Sequence, residues 1–268
     1  MDITEKFGLE KCESCSKEAV KGIPVQRIIN KLDSLFSKND LSEAGRLLEY
    51  WEGEARASSD ERGLITILDE EIGYYRRTGE REKGLAAVKE AFSLLEAEEY
   101  ADSVSTATIY VNGATTMKAF GGAKDSLPYY DMAHEIYLKH LPSDSFLLAA
   151  LYNNMASAYS ELKNYGEAKE LYEKAISVLK MQNESVYNGE IAVSLLNIAQ
   201  MMYEKDPCGE EAYEYAQEAY SYLTQKPNVH DGNYAFILSK CAPTFGYLGY
   251  FKYEKELSAE SERIYEGN

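Results

Sequence analysis

Three histidines and four cysteines are the residues of this 268-residue chain best suited to metal binding or catalysis. The run His134-Glu135-Ile136-Tyr137-Leu138-Lys139-His140 offers two imidazoles and a carboxylate. A helical zinc site of that type needs its second histidine four residues after the first, on the same face. Leu138 holds that place and His140 points elsewhere, so His134 is expected to be a packed or partly exposed helix residue. Cys12 and Cys15 have the spacing of half a zinc site. A structural site needs a second pair of ligands, and Cys208 and Cys241 lie far away and apart. Free thiols are the simpler reading. There is no nucleophile elbow, phosphate loop or dinucleotide fingerprint, and Gly121-Gly122 reads as a turn. No catalytic residue, metal or other cofactor is therefore expected. Asn30, Asn112, Asn154 and Asn197 carry side-chain amides, each with one acceptor and two donors.

The elements that carry these asparagines repeat along the chain. In residues 147–182, Leu148, Leu151, Tyr152, Met155, Ala156 and Tyr159 recur at helical spacing. Ser143 or Asp144 is placed to cap that helix, and Asn164-Tyr165-Gly166 reads as the turn that ends it. Ala168, Leu171, Tyr172, Ala175, Ile176 and Leu179 then form a second apolar stripe. The stripe is too wide for one partner helix, so each helix needs a neighbour on both sides. Two series of small residues keep a common beat of about 42: Ala91, Ala133, Ala175, Ala219 and Ser261, and Ala114, Ala156, Ala199 and Ala242. Six helix pairs follow, over residues 24–57, 63–100, 106–141, 147–182, 190–224 and 233–266. Residues 1–23 form an N-terminal segment, frayed or capping, before a single solenoid over 24–268. Pro128 implies a helix that starts late, with Ser126 as cap. Pro243 is expected to kink the first helix of the last pair. The narrow stripe of Tyr253, Leu257 and Ile264 suits a terminal, capping helix.

Tyr152, Met155-Ala156, Tyr159, Ala168, Tyr172 and Ala175 stand in the order of the tetratricopeptide repeat pattern, and this stretch resembles that family. The repeat is longer than the family's usual 34 residues and is similar to the long repeats of kinesin light chains. The resemblance implies an all-α, right-handed superhelical solenoid of stacked antiparallel helix pairs. It also implies that first helices line a concave groove binding extended peptide. One groove position then reads Asn30, Glu70, Asn112, Asn154, Asn197 and Lys240 across the six pairs, similar to the asparagine ladder of kinesin light chains. The bland alternative is that each asparagine only bonds the neighbouring helix. One turn on lie Thr115, Ser157 and Gln200, and a further turn on Arg76, Lys118 and Tyr203. Arg76, Arg77 and Lys118 either hold an acidic group or form a solvated basic spot. Family members that grip chaperone C-termini use lysine one turn before the asparagine. Here Gln26, Thr66, Thr108, Ala150, Val193 and Phe236 stand there, which argues against that partner. Of 23 tyrosines, Tyr110, Tyr152, Tyr159 and Tyr172 read as core, and Tyr203 and Tyr247 as groove residues able to anchor a partner.

Composition sets the limits. Asp and Glu number 45 against 28 Lys and Arg, a formal charge of −17. An acidic surface disfavours nucleic acid and anionic lipid and favours neutral or basic peptide; acidity for solubility alone is the other reading. No apolar run is long enough for a membrane span, and the polar N-terminus does not read as a signal peptide, so a cytoplasmic location is expected. The chain reads as a non-catalytic adaptor or scaffold holding a peptide segment or partner protein. A receptor for a small signalling oligopeptide is the alternative, and an all-α enzyme the third.

Overall fold

The computed structural model describes residues 22–97, 100–182, 187–224 and 231–266. Cys12, Cys15, His230 and almost all of the expected N-terminal segment lie outside them. The described residues form helices α1 (Val25–Ser37), α2 (Leu41–Ala57), α3 (Glu61–Thr78), α4 (Arg81–Leu95), α5 (Val104–Ala119), α6 (Ala123–His140), α7 (Phe146–Glu161), α8 (Tyr165–Met181), α9 (Asn188–Lys205), α10 (Glu210–Thr224), α11 (Gly232–Tyr247) and α12 (Phe251–Tyr265). The fold is all-α, a solenoid of stacked helix pairs. The helices group into two compact units, divided between Tyr129 and Tyr130, within α6.

Within the first unit each helix from α1 to α4 packs on the next, and α1 and α5 both also pack on α3. The first helices of successive pairs thus make one layer, with α2 and α4 behind it. The second unit repeats the scheme: α7, α9 and α11 neighbour one another in order, while α8 packs on α7 and α9, α10 on α9, and α12 on α11. The two small-residue series explain the close approach. Ala91, Ala133, Ala175, Ala219, Ala114, Ala156 and Ala199 have no exposed surface, and Ala242 and Ser261 almost none. A larger side chain at any of them would push helices apart. Gly113 follows the same logic, because a Cβ there would stand 2.4 Å from the Phe92 ring.

Short polar caps define the helix starts. Asp40, Asp60, Ser103 and Asp231 each accept from a backbone N–H in the first turn of the following helix. Asp60 Oδ2 also accepts from Ile23 N at 2.8 Å, tying the entry of α1 to the start of α3. Five turns inside pairs share one device, a residue with left-handed backbone: Asn39, Gly79, Gly121, Lys163 and Gly249; the α9–α10 turn does without it.

Several local expectations are corrected. The cap of α7 is Ser145, whose Oγ accepts from Leu147 N at 3.3 Å, rather than Ser143 or Asp144. The turn after α7 centres on Lys163, with φ of 60°, and Tyr165 and Gly166 already belong to α8. Helix α6 starts at Ala123 and runs through Pro128. Near the helix start a proline forfeits only one backbone bond, and the buried Ser126 hydroxyl donates to Ala123 O at 2.7 Å instead of capping. Tyr110 and Tyr172 are core, but Tyr152 and Tyr159 are only half-buried, because a phenol can keep its hydroxyl at the surface while its ring packs. No helix among the described residues is long and apolar enough to cross a membrane.

Candidate functional site: an amide-lined cavity in the second unit

In the second unit, α7 and α9 lie side by side and expose the same helical face. Asn154 and Ser157 come from α7, and Asn197 from α9 two turns after Glu190. These four residues line one cavity of about 330 Å³, with Asn153, Phe146, Ala149, Ala150, Leu179 and Val193 completing its wall. Among the described residues the side chains of Asn154 and Asn197 have no hydrogen-bond partner. Their neighbour Asn153 is engaged: its Oδ1 accepts from Ser194 Oγ at 2.8 Å across the two helices. Ser194 Oγ also lies 2.9 Å from Glu190 O in its own helix. The arrangement therefore has a fixed polar link on one side and two unused carboxamides on the other. Unused donors and acceptors in a concave site are what an incoming backbone can satisfy.

Farther along α9, Gln200 Nε2 donates to Glu204 Oε1 at 3.0 Å. The Tyr203 ring meets Tyr247 of α11 edge-on, with centroids 5.6 Å apart, and Tyr247 stays exposed. The two tyrosines read as a groove pair do touch one another, but neither lines the cavity.

The first unit treats the same row differently. Asn30 is exposed, and its Oδ1 accepts from Gln26 Nε2 at 3.0 Å. Asn112 Nδ2 donates to Asp69 Oδ1 of α3 at 2.9 Å, and Asn112 O accepts from Arg76 Nη1 at 3.3 Å. Arg76 Nη1 also donates to Thr116 Oγ1 at 3.1 Å, so this guanidinium is bound up between α3 and α5. Thr115 Oγ1 donates back to Val111 O at 2.7 Å. Lys118 is half-buried on the same helix. Arg77 donates to Asn39 Oδ1 at 3.0 Å and lies over the Phe36 ring. A separate cavity of about 340 Å³, lined by Arg62, Thr66, Asp69, Tyr100, Ser103 and Thr106 among others, contains none of the asparagines.

Acid–base behaviour follows burial. Burial pushes the Asp69 carboxyl up, offset by its bond from Asn112 and by Arg76. Glu70, which stands in the asparagine row, is raised to about 7 by burial, then by Asp69 and Asp33. Glu71, near Glu52 and Arg56 of α2 and Glu90 of α4, is raised to about 8 by burial and by Glu52, against the pull of Arg56. Its Oε1 is buried with no hydrogen-bond partner. Arg56 spends its guanidinium on Glu52 and on Glu90 of α4 instead, at 2.6 Å each. In the second unit, burial also raises Glu190, partly offset by a bond from its own backbone N–H.

No metal-binding geometry emerges around the histidine run. His134 Nε2 lies 3.0 Å from Tyr152 Oη, burial lowers the imidazole pKa, and His140 is exposed. Among the described residues no three His, Cys, Asp or Glu side chains are grouped to hold an ion. Sequence reasoning missed Glu190, Asn153, Ser194 and Asp69. Glu190, Val193 and Asn197 do share one helical face, which was the available signal for Glu190. Asp69 and Asn153 lay beside the row rather than on it.

Comparison with known proteins agrees with this architecture. Residues 119–181 match the family model described as tetratricopeptide repeat. No curated protein sequence matches the chain. Among solved structures, TPR-like repeats of a Podosopora anserina protein described as a kinesin light chain share 16% identity, covering 74% of this chain and 92% of that one, with a TM-score of 0.54. The quorum sensor NprR, known from B. thuringiensis, is matched in complex with its cognate peptide NprX at 17% identity, covering 97% of this chain and 78% of that one, with a TM-score of 0.56. The apo form of RapI is matched at 14% identity, 92% and 100% coverage and a TM-score of 0.56. Residues 119–181 thus carry tetratricopeptide repeat sequence, and the described helices around them share the fold of kinesin-light-chain-like tetratricopeptide repeat proteins.

Proposed function

We propose that this protein is a non-catalytic interaction module that holds an extended peptide segment of a partner protein across α7 and α9. The observation that carries the reading is the cavity where Asn154, Ser157 and Asn197 converge with both carboxamides unused. An extended backbone offers alternating donors and acceptors, which a carboxamide pair can meet without regard to side chains. The test is selection from a displayed random-peptide library. The wild-type protein should enrich binders, and Asn154→Ala with Asn197→Ala should fail to hold them while melting at the wild-type temperature. Binders held equally by the double variant would refute the reading.

A second reading is favoured by one comparison, the peptide-bound NprR structure covering 97% of this chain at the fold level. In that reading the occupant is a free signalling oligopeptide. The two part on length: a receptor should require free peptide ends, whereas an adaptor should bind the same residues embedded in a longer chain.

A further inference from the structure

The amide-lined cavity has one more polar group, and it narrows the chemistry of the occupant. Glu190 lies in the first turn of α9 and lines the same wall as Asn154 and Asn197. Its Oε2 is buried and accepts no hydrogen bond, and among the described residues no lysine or arginine pairs with it. A carboxylate in that position is costly unless a cation or donor completes it. The neighbouring wall is aliphatic, from Ala149, Ala150, Val193 and Leu179. Aliphatic side chains and a carboxylate in one cavity wall match the side chain of lysine or arginine, whose stem packs while its head stays charged. A volume of about 330 Å³ accommodates one such side chain beside a stretch of backbone. The chain's formal charge of −17 favours a basic occupant as well.

We propose that the cavity between α7 and α9 receives a lysine or arginine side chain of the bound peptide, with its aliphatic stem against Ala150 and Val193 and its cationic head at the Glu190 carboxylate. The proposal rests on the peptide-binding reading of the same site. Glu190 then selects one residue type in a sequence whose backbone is held by Asn154 and Asn197.

The test uses a displayed random-heptapeptide library against the intact chain, with the enriched peptides synthesised and titrated calorimetrically. Enriched peptides should share a lysine or arginine at one position. Glu190→Gln should bind them about 30-fold more weakly, the loss typical of a hydrogen bond to a charged group. Replacing that lysine or arginine by norleucine should weaken binding to wild type by a similar factor and add little in Glu190→Gln. Glu190→Asp, which keeps the charge, should retain the preference. Enriched peptides that share no basic position, or that bind Glu190→Gln as tightly as wild type, would overturn the proposal; their loss in the Asn154→Ala, Asn197→Ala variant would leave the peptide-binding reading standing. No enrichment at all, or binding indifferent to both asparagines, would overturn both.

Discussion

The asparagines of the first unit and those of the second occupy the same register and end in opposite states. Asn112 is consumed by Asp69, whereas Asn154 and Asn197 are left open. The difference lies in the neighbouring positions. In the first unit an aspartate precedes the row residue of α3, and the residue one turn before Asn112 is Ile109, which cannot bond it. Asp69 therefore takes Asn112. In the second unit Asn153 stands in place of Asp69 and Ser194 in place of Ile109. Ser194 satisfies Asn153, and Asn197 is released. A row amide is left open only where an adjacent pair relieves it of structural duty.

Substitutions at seven positions test that contrast. The largest effect is expected for the paired asparagines. Asn154→Ala with Asn197→Ala should weaken library-selected peptides by about 100-fold, the loss of two hydrogen bonds in a shielded site. Asn30→Ala with Asn112→Ala should change the same affinity less than about threefold. Equal losses from the two double variants would erase the distinction between the units.

Next comes Glu71→Gln, which probes how closed the first unit is. The folded protein holds this acid protonated up to about pH 8, against 4.5 for an exposed glutamate. Its contribution to stability is intact below pH 4.5, where the unfolded chain is protonated too. It is lost progressively as pH rises towards 8, because only the unfolded state can then ionise freely. Glu71→Gln should thus raise stability at pH 8–9 by about 2 kcal/mol or more and leave it nearly unchanged at pH 4. A shift of equal size at both pH values in thermal melts would contradict the buried-acid account.

Asn112→Ala should cost about 1–2 kcal/mol in denaturant unfolding, since it strips a buried carboxylate of its donor. Asn197→Ala, with no bond to lose, should stay within about 0.5 kcal/mol of wild type. A smaller change is expected for Ser194→Ala. Freed from its hydroxyl partner, Asn153 can turn to Asn197, and peptide affinity should fall about threefold without loss of helix by circular dichroism. Lys163→Gly should raise the stability of the second unit by about 0.5–1 kcal/mol, by relieving a left-handed backbone that costs a side chain roughly that much. Unchanged melting would mean that the turn carries no strain.

The architecture was legible because it rests on periodicity. Apolar stripes and two series of small residues mark buried faces directly, and every member of both series is buried. Helix ends were less legible. A proline in the first turns of α6 and a lysine in the left-handed turn before α8 both violate local preference, and tertiary packing outweighs a penalty of that size. The row of candidate residues could be read from its register, but whether each amide is free could not. That depends on Asp69, Ile109, Asn153 and Ser194, which sit beside the row, and on which of them faces which across two helices. Glu190 was hidden for another reason. Its importance comes from an oxygen without a partner, a property no residue pattern records.

The recurring left-handed turn also bears on how such a chain diversifies. Asn39, Gly79, Gly121, Lys163 and Gly249 solve the same junction with three residue types. The second helix of a pair is therefore turned back on the first by the same backbone bend whichever of these residues stands there, and a copied pair carries its own turn with it.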